Sequence, residues 1–272
     1  MRPAASDTFN IAGRHGSHGH QWEGVLKTYQ GDFHIHTNLS PCGSEEMSPP
    51  SVVATALAAG LDCIAICDHN STGNVGAFRD AASGTSLVVI AGIEITTAEE
   101  IHIVGLFPDI AAADRVASEV QATLPGSDSD YERRFGEQVL VDREGRRVGH
   151  ERRSLALATT LVLGEAVSLI QRYGGLAVAA HIERPSHSVY SELGDLPKGI
   201  PFDAVEVSPV RSRFIGLREK FARYGFPMIG SSDSHYLHEI GRARTLMEAE
   251  AATFKEFAAA LRGEGGRKVA YV

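Results

Sequence analysis

Seven short apolar runs recur along the chain and alternate with longer amphipathic stretches. The runs lie at 32–36, 62–69, 86–95, 101–107, 176–183, 202–208 and 226–235. Several are continuously apolar, a pattern typical of parallel strands that are covered on both faces. The amphipathic stretches, which predict helices, lie at 48–60, 109–124, 164–175, 214–225 and 251–266. This alternation predicts an α/β fold with right-handed crossovers between parallel strands.

A polar segment at 125–154 interrupts the alternation. It contains a strand-like run at 137–141, a turn at 142–145 and a second run at 146–150, which predicts a β-hairpin. We interpret the segment as a small insertion and not as a separate domain. Seven strand candidates favour a barrel, and an open sheet is the alternative that the pattern leaves. The expected layout is a single domain over 25–272, preceded by a polar, mobile extension at 1–24.

Composition bounds the function without identifying it. The 272 residues suit one large α/β domain, and a hydrophobic content of 43% is ordinary for a globular protein. The net charge of −8 gives no global sign of nucleic-acid binding. No apolar run reaches the length of a membrane span, and the first residues lack the apolar core of a signal peptide. The three cysteines do not suggest a disulfide framework. We therefore expect a cytoplasmic protein with no membrane partner, and the sequence carries no signal for its oligomeric state.

Histidines and carboxylates occur where the predicted strands end. His34 and His36 are two residues apart, so their imidazoles point to one face of a strand, and Asp233 and His235 repeat this spacing. The other strand-end donors are Asp68, His69, Glu94, His102 and His181. The C-terminal rim of a parallel barrel brings such residues together. Because imidazoles crowd together mainly around a shared cation, the pattern predicts a metal site.

These segments occur in an order that marks a known family. From residue 32 to residue 235 the chain reads "DFHIHT", "CDHN", "GIEITT", "HIVGL", "AAHIERP" and "SSDSH". Over about residues 30–245 it resembles the PHP (polymerase and histidinol phosphatase) domain, whose motifs run from an HxH opening to a closing DxH. The resemblance implies a distorted (β/α)7 TIM-like barrel with two or three divalent ions, Zn, Mn or Fe, at its rim.

The resemblance also implies how the ligands are distributed among the ions. The ligands implied for the first site are His34, His36, Glu94 and Asp233. Those implied for a second ion, bridged to the first by Glu94, are His102 and His181, and those for part of a third site are His69 and His235.

One motif departs from the commonest family pattern. Many relatives have "SDG" after the HxH segment, and its carboxylate helps to hold the third ion. Here the segment reads "SPCG", and Pro41 stands in that place without a donor atom. We expect Cys42 to ligate as a thiolate, which favours zinc or iron; the alternative is a turn residue beside a weak or water-completed third site. Cys63 and Cys67 alternate along a buried strand and are expected to be small core residues.

The implied reaction is hydrolysis of a phosphoester. Closely spaced ions leave a local surplus of positive charge, which attracts phosphate. The resemblance implies that a hydroxide bridging the ions near Glu94 attacks phosphorus, while the ions hold the other phosphoryl oxygens. We expect Asp68 to orient a ligand imidazole; its alternative role is to shuttle the proton of the leaving group.

Basic side chains near the motifs are candidates for binding the substrate phosphate. Arg184, three residues after His181, is the first choice because a guanidinium matches phosphate oxygens bidentately. His187, Arg211 and Arg213 are further candidates, and for each arginine the simpler interpretation is a solvated surface charge. The arginines of the insertion favour a solvated hairpin or a subunit contact, with a positively charged lid as the alternative.

Four functions are compatible with this pattern, in decreasing order of support. The first is a metal-dependent phosphoesterase for a small phosphorylated metabolite or a nucleotide. The second is a 3′–5′ exonuclease-type phosphodiesterase, which salt-sensitive binding of single-stranded DNA would favour. The third is a non-catalytic module, in which chelation would lower thermal stability although the metal-loaded protein hydrolyses nothing. A zinc hydrolase of C–N bonds is disfavoured because no lysine stands at a strand end.

Overall fold

The computed structural model describes residues 25–208 and 220–272. Its strands are β1 Lys27–Ile35, β2 Cys63–Ile66, β3 Val88–Thr96, β4 His102–Phe107, β5 Val139–Val141, β6 Arg147–His150, β7 Leu176–Ala179, β8 Ala204–Val207, β9 Met228–Gly230, β10 Thr245–Ala249 and β11 Lys268–Tyr271. Its helices are α1 Pro49–Ala58, α2 Val75–Ala82, α3 Ile110–Gln121, α4 Ser129–Phe135, α5 Leu163–Arg172, α6 Val189–Leu193 and α7 Phe254–Leu261, with 3₁₀ turns at Leu237–Glu239 and Glu264–Gly266. Within these two ranges, no helix has both the length and the apolar character that crossing a bilayer requires.

The helices begin where the local sequence supplies caps. Asp109 precedes α3, and its side chain accepts a hydrogen bond from the Ala112 N–H. Thr253 caps α7 in the same way through the Glu256 N–H. Ser48 precedes α1, which has proline at its first positions, where a missing N–H costs nothing.

The seven predicted strands form most of a nearly closed, barrel-like sheet. The strand order is β11–β10–β1–β2–β3–β4–β7–β8–β9, and the pairs β1–β2, β2–β3, β7–β8 and β8–β9 are parallel. The segment after β9 returns to β1, where Ile35 pairs with Ser234 and the His36 N–H donates to the Ser234 carbonyl at 2.9 Å. The predicted α/β barrel is therefore confirmed.

The direction of β4 corrects the prediction of parallel strands. This strand pairs antiparallel with both of its neighbours, β3 and β7. Only residues 97–101 separate β3 from β4, whereas a parallel crossover needs roughly a dozen residues or more, so the two strands form a hairpin. His102 begins β4 opposite Thr96, which ends β3. The reversal therefore still delivers His102 to the rim where the parallel strands end.

Two strands that the apolar pattern did not predict extend the sheet. Residues 27–31 of β1 pair antiparallel with β10, and β10 pairs antiparallel with β11. Burial alternates along β10, and most of β11 is exposed, so neither strand forms a continuous apolar run. The second half of β1 pairs with β2 and leads into the rim.

Helices cover both faces of the sheet. Neighbouring residues of a strand point to opposite faces, and Ile64 belongs to one buried apolar cluster while Cys63 and Cys67 belong to another. The first cluster includes residues of α1, α2, α3 and α5, and the second includes residues of α7. In the second cluster the rings of Phe33 and Phe257 stack with centroids 4.0 Å apart. Cys63 and Cys67 are fully buried, as predicted for core residues.

The insertion consists of α4 and the hairpin β5–β6, and it packs beside the loop that follows β1. Leu140 of β5 contacts a small apolar cluster at Leu39, Leu124 and Leu155. Asn74, which precedes α2, donates a side-chain hydrogen bond to a carbonyl of β5 at 3.1 Å. The predicted hairpin is confirmed.

Candidate metal centre

Glu94 lies at the centre of the rim, surrounded by imidazoles from four other segments. Its carboxylate oxygens lie 2.8 Å from His69 Nδ1 and 2.9 Å from His102 Nδ1. The nitrogens that lie 3.3 Å from these oxygens are Nε2 of His34, His36 and His181. The Glu94 side chain is almost completely buried. The fold therefore brings together donors that are far apart in the sequence.

Asp233 and His235 complete the centre from the segment after β9. Asp233 Oδ1 lies 2.9 Å from His36 Nε2 and 3.4 Å from His34 Nε2. The His235 ring stacks on the His36 ring with centroids 4.1 Å apart. These contacts place the closing DxH motif directly against the opening HxH motif.

The donor atoms form three overlapping groups, each compact enough to hold one cation. Within each group the ligand atoms lie within 4.8 Å of one another. The first group is His34, His36, Glu94 and Asp233; the second is His69, Glu94 and His102; the third is His36, His69 and His235. Glu94 belongs to two groups, as a bridging carboxylate does. His181 adjoins the second group, because its Nε2 contacts the same Glu94 oxygen as His102.

Each histidine of the HxH motif makes a polar contact through its Nδ1 atom, which holds the ring in place. Nδ1 of His34 lies 3.1 Å from both carboxylate oxygens of Glu206, and Nδ1 of His36 lies 2.9 Å from Ser40 Oγ. The two Nε2 atoms lie 3.2 Å apart. Zn–N bonds of about 2.0–2.1 Å place two tetrahedral ligands roughly 3.3 Å apart, so this separation suits two ligands of one ion.

Several buried polar atoms at the centre lack a well-aligned hydrogen bond within the described part of the chain. They are Glu94 Oε2, Asp233 Oδ1, His69 Nδ1 and His181 Nδ1. An unsatisfied buried polar atom costs roughly 1–3 kcal/mol, and a bound cation removes that cost for oxygen and nitrogen donors. The donor set therefore fits divalent metal ions.

The centre combines two ionised carboxylates with imidazoles that differ in pKa. Nearby acidic groups outweigh burial and hold the pKa of His34 and of His69 well above the usual value, so a bound cation would displace these protons. Burial opposes ionisation of Glu94, but the surrounding imidazoles hold the pKa of its carboxyl well below the usual range. Burial also opposes ionisation of Asp233, yet His34 and His36 hold its pKa well below the usual range. Both acids are therefore ionised at neutral pH. Burial lowers the pKa of His102 to about 4, so this imidazole is neutral, which is the form that binds a metal.

Cys42 lies beside the third group. The side chains of His235 and His69 interact with its thiol. Desolvation opposes ionisation of the thiol, but these two imidazoles outweigh it and lower the pKa of Cys42 to about 5. The SPCG turn therefore presents a thiolate to two of the three imidazoles of this group.

Asp68 is fully buried and braces the loop after β1. Its carboxylate accepts hydrogen bonds from the Thr37 N–H at 2.7 Å and from the Ser40 hydroxyl at 2.6 Å. The Ser40 oxygen in turn contacts His36 Nδ1. Asp68 thus reaches the His36 ring only through Ser40. This geometry favours the orienting role over the proton shuttle.

Two buried residues that contact the ligands are not among the residues predicted from the sequence. Ser40 carries no signal in the sequence, because serine is common in turns. Glu206 is the only acidic residue of the apolar strand β8, "AVEV". A carboxylate in a buried strand needs a polar partner, and that requirement is the signal that identifies it.

Arg184 and His187, two of the candidates for binding the substrate phosphate, line the mouth of the centre. The cavity has a volume of about 120 Å³, and its walls include Glu94, His181 and Ser186. The Arg184 guanidinium pairs with Asp233, and the Arg184 side chain is 30% exposed. A phosphate in this cavity would lie beside both the donor groups and the guanidinium.

The other basic candidates do not form a positive lid within the residues that the structure describes. Arg211 and Arg213 lie outside those residues. The insertion at 125–154 contains seven arginines and seven acidic residues. Arg146 and Arg147 each pair with a carboxylate of the hairpin at 2.8 Å. This local neutralisation favours the solvated hairpin over the charged lid.

Comparison with known sequences identifies the same family as the motifs. The sequence model of the PHP domain matches residues 32–174, and that of the PHP-associated region matches residues 218–264. The predicted resemblance is therefore confirmed.

The curated relatives match over a shorter stretch. A 5′-3′ exoribonuclease, Rnm, of Salmonella typhimurium is 39% identical over 85 residues, which is 29% of this chain and 28% of that protein. A 5′-3′ exoribonuclease of Haemophilus influenzae is 36% identical over 78 residues, 28% of this chain and 27% of that protein. The chain thus matches less than a third of the length of these relatives.

Solved structures share the fold over most of the chain. The lesion-specific endonuclease Q of Pyrococcus furiosus superposes with a TM-score of 0.67 at 20% identity and covers 89% of this chain and 58% of that one. A proposed metal-dependent phosphoesterase of Bifidobacterium adolescentis gives a TM-score of 0.55 at 20% identity, over 76% of this chain and 87% of that one. These likenesses agree with the barrel-like architecture.

Proposed function

Since this chain belongs to the PHP domain family of metal-dependent phosphoric ester hydrolases, we propose that it hydrolyses a terminal phosphate ester of a nucleotide or another small phosphorylated metabolite. The observation that carries the proposal is the position of Glu94. This ionised, buried carboxylate is shared by two ligand groups, so two cations would lie side by side. Adjacent divalent ions supply Lewis-acid polarisation of phosphoryl oxygens and an activated water.

The chain's own residues supply binding and orientation. Glu94 and Asp233 contribute the negative charge that retains the cations. The Arg184 guanidinium lies at the mouth, where it would hold phosphoryl oxygens with directed hydrogen bonds. His187 stacks on His102 with ring centroids 4.7 Å apart and presents a second donor to the same cavity. Asp68 holds His36 in place through Ser40.

The size and charge of the surroundings favour a small or terminal phosphate. The cavity of about 120 Å³ is smaller than the roughly 300–1,000 Å³ of typical ligand pockets. It therefore suits a phosphoryl group, with the remainder of the substrate outside. The insertion adds no net positive charge beside it. Long nucleic acid is held mainly by basic side chains, and the insertion supplies no net positive charge for it, which favours a short substrate.

We further propose that the centre holds two or three ions, of Zn, Mn or Fe, and that Cys42 ligates the third with His69 and His235. A thiolate favours zinc or iron over harder ions. We also propose a cytoplasmic location, because three cysteines without a disulfide suit a reducing compartment.

Cobalt substitution tests the role of Cys42 without an activity assay. A thiolate bound to Co²⁺ adds a sulfur-to-metal charge-transfer band in the near ultraviolet. The wild type should show this band, Cys42→Ser should lose it, and the core variant Cys63→Ala should keep it. A band that survives in Cys42→Ser would exclude Cys42 as the ligand.

Phosphate release tests the proposed reaction. The purified protein loaded with Mn²⁺ or Zn²⁺ should release phosphate from a panel of nucleoside monophosphates and sugar phosphates. His36→Ala should lower the rate at least about 100-fold, because it removes a donor common to two groups. His238→Ala is the matched control, because this histidine is exposed and belongs to none of the three groups. A folded, metal-loaded protein that hydrolyses no member of the panel would contradict the proposal.

Hydrolysis at the end of a nucleic acid is the second candidate function. Two curated relatives are 5′-3′ exoribonucleases, which supports this candidate, although their direction is 5′-3′ and not 3′–5′. RNA and DNA oligonucleotides labelled at either end would give a ladder of products that reports the direction. Ladders formed faster than phosphate is released from mononucleotides would favour this second function.

A further inference from the structure

Glu206 contacts two parts of the metal centre at once. Its side chain is buried, and both of its carboxylate oxygens lie 3.1 Å from Nδ1 of His34. Its Oε1 also accepts a hydrogen bond of 3.1 Å from the backbone N–H of His181. His34 belongs to the first group, whereas His181 adjoins the second group. One carboxylate on β8 therefore touches ligands on both sides of Glu94.

The contact with His34 determines where the other ring nitrogen points. The torsion of an imidazole about its bond to Cβ is broad, so a hydrogen bond at one nitrogen helps to fix the direction of the other. The bond from Nδ1 to Glu206 holds the ring so that Nε2 lies 3.3 Å from Glu94 and 3.4 Å from Asp233. A carboxylate behind a ligating histidine also makes that ligand more basic.

The contact with His181 holds an unusual backbone conformation. His181 has φ of +26°, in the left-handed region that side chains other than glycine rarely adopt. Two hydrogen bonds tie this turn to Glu206: the His181 N–H donates to its side chain, and the Ile182 N–H donates to its carbonyl at 3.0 Å. These bonds direct the His181 ring toward Glu94.

We propose that Glu206 is a positioning residue that couples the two sides of the centre, so that its loss weakens both metal ions together. The inference rests on the proposed function only in assuming that the centre binds divalent ions. Partners behind metal ligands typically contribute 10–100-fold to metal affinity. Because Glu206 acts on two ligands, its effect should appear at two ions.

Zinc affinity, measured by competition with a chromophoric chelator, tests the proposal in the full-length protein. Glu206→Ala should lower the affinity for each ion by about 10–100-fold. Glu206→Gln should weaken them less, because its single oxygen still accepts one of the two bonds. Glu256→Gln is the matched control: this acid of α7 accepts the Glu250 N–H at 2.8 Å and belongs to none of the three groups. Its affinities should stay within twofold of wild type.

A His34→Ala protein distinguishes coupling of the two sides of the centre from support of His34 alone. In a His34→Ala protein, adding Glu206→Ala should still weaken the remaining ion by about tenfold, through His181. No further loss in that background would overturn the coupling. Affinities of Glu206→Gln within twofold of wild type would overturn the positioning role, and this variant decides the question if Glu206→Ala does not fold. A wild-type protein that releases no phosphate would refute the proposed reaction. Its zinc affinities could still be measured and would still test the role of Glu206.

Discussion

Replacing Asn74 with alanine should loosen the insertion from the loop of the metal centre. Asn74 is fully buried between that loop and the hairpin β5–β6. Its amide nitrogen lies 3.2 Å from Thr37 Oγ1 and 3.1 Å from the carbonyl oxygen of Val139. Its amide oxygen accepts a hydrogen bond of 3.0 Å from the Val141 N–H. One side chain thus joins the loop after β1 to both ends of β5.

The magnitude follows from the groups that the substitution leaves without partners. Alanine cannot replace the bonds to the Val139 carbonyl and the Val141 N–H. An unsatisfied buried backbone group costs roughly 1–3 kcal/mol. Val141 is buried, but Val139 is only half-buried, so water can replace part of its bond. We expect a loss of about 2–4 kcal/mol, equivalent to roughly 30–1,000-fold more frequent opening of the hairpin.

Hydrogen exchange of peptides that contain β5 and β6, together with urea unfolding, measures this loss. Asn38→Ala is the matched control, because it removes only one acceptor, at 3.2 Å from the same amide nitrogen, and keeps both bonds to the hairpin. It should cost less than about 1 kcal/mol. Exchange of the hairpin amides in Asn74→Ala at the wild-type rate, or a loss no greater than that of Asn38→Ala, would refute the reasoning.

Three further outcomes are expected. Burial raises the pKa of Asp32 from 3.8 to about 6, so the folded state binds this proton more tightly than the unfolded chain. In the metal-free protein, the stability of the wild type relative to Asp32→Asn should therefore fall by about 2 kcal/mol as pH rises from about 4 to about 6; a constant difference in urea unfolding would contradict this. Arg147→Ala removes an exposed pair with Glu137 and should cost less than about 1 kcal/mol, with phosphate release within twofold of wild type; a large loss of activity would support the charged lid. Chelation should lower the thermal midpoint and zinc should restore it, because bound cations stabilise the folded state; an unchanged midpoint would argue against bound ions.

The strands of the barrel were predictable because burial on both faces leaves a continuous apolar run. Each of the seven runs contains one strand of the barrel. The apolar pattern does not predict β10, because the side chains of this strand alternate between buried and partly exposed positions. The direction of β4 was readable in principle, since residues 97–101 are too few for a crossover. The apolar pattern reports burial, and only the loop length reports direction.

The ligands were predictable because their spacing is local, whereas their supports are not. The HxH and DxH spacings identify pairs of side chains on one face of an extended segment. Glu206 supports His34 from 172 positions away, so no local spacing relates them. The Ser40 hydroxyl matters only because the turn after β1 folds it between His36 and Asp68. Single polar residues inside apolar strands are the places where such supports can be sought.

The short hairpin of β3 and β4 also bears on the order in which the centre assembles. Glu94 and His102 are neighbours on its two arms, so bringing them together closes only a small loop of chain and costs little entropy. The contact between Asp32 and Ser232 that helps to complete the barrel spans 200 positions and closes a much larger loop. Local contacts form fastest during folding. Two of the three donors of the second group can therefore meet on this hairpin before the two ends of the barrel close.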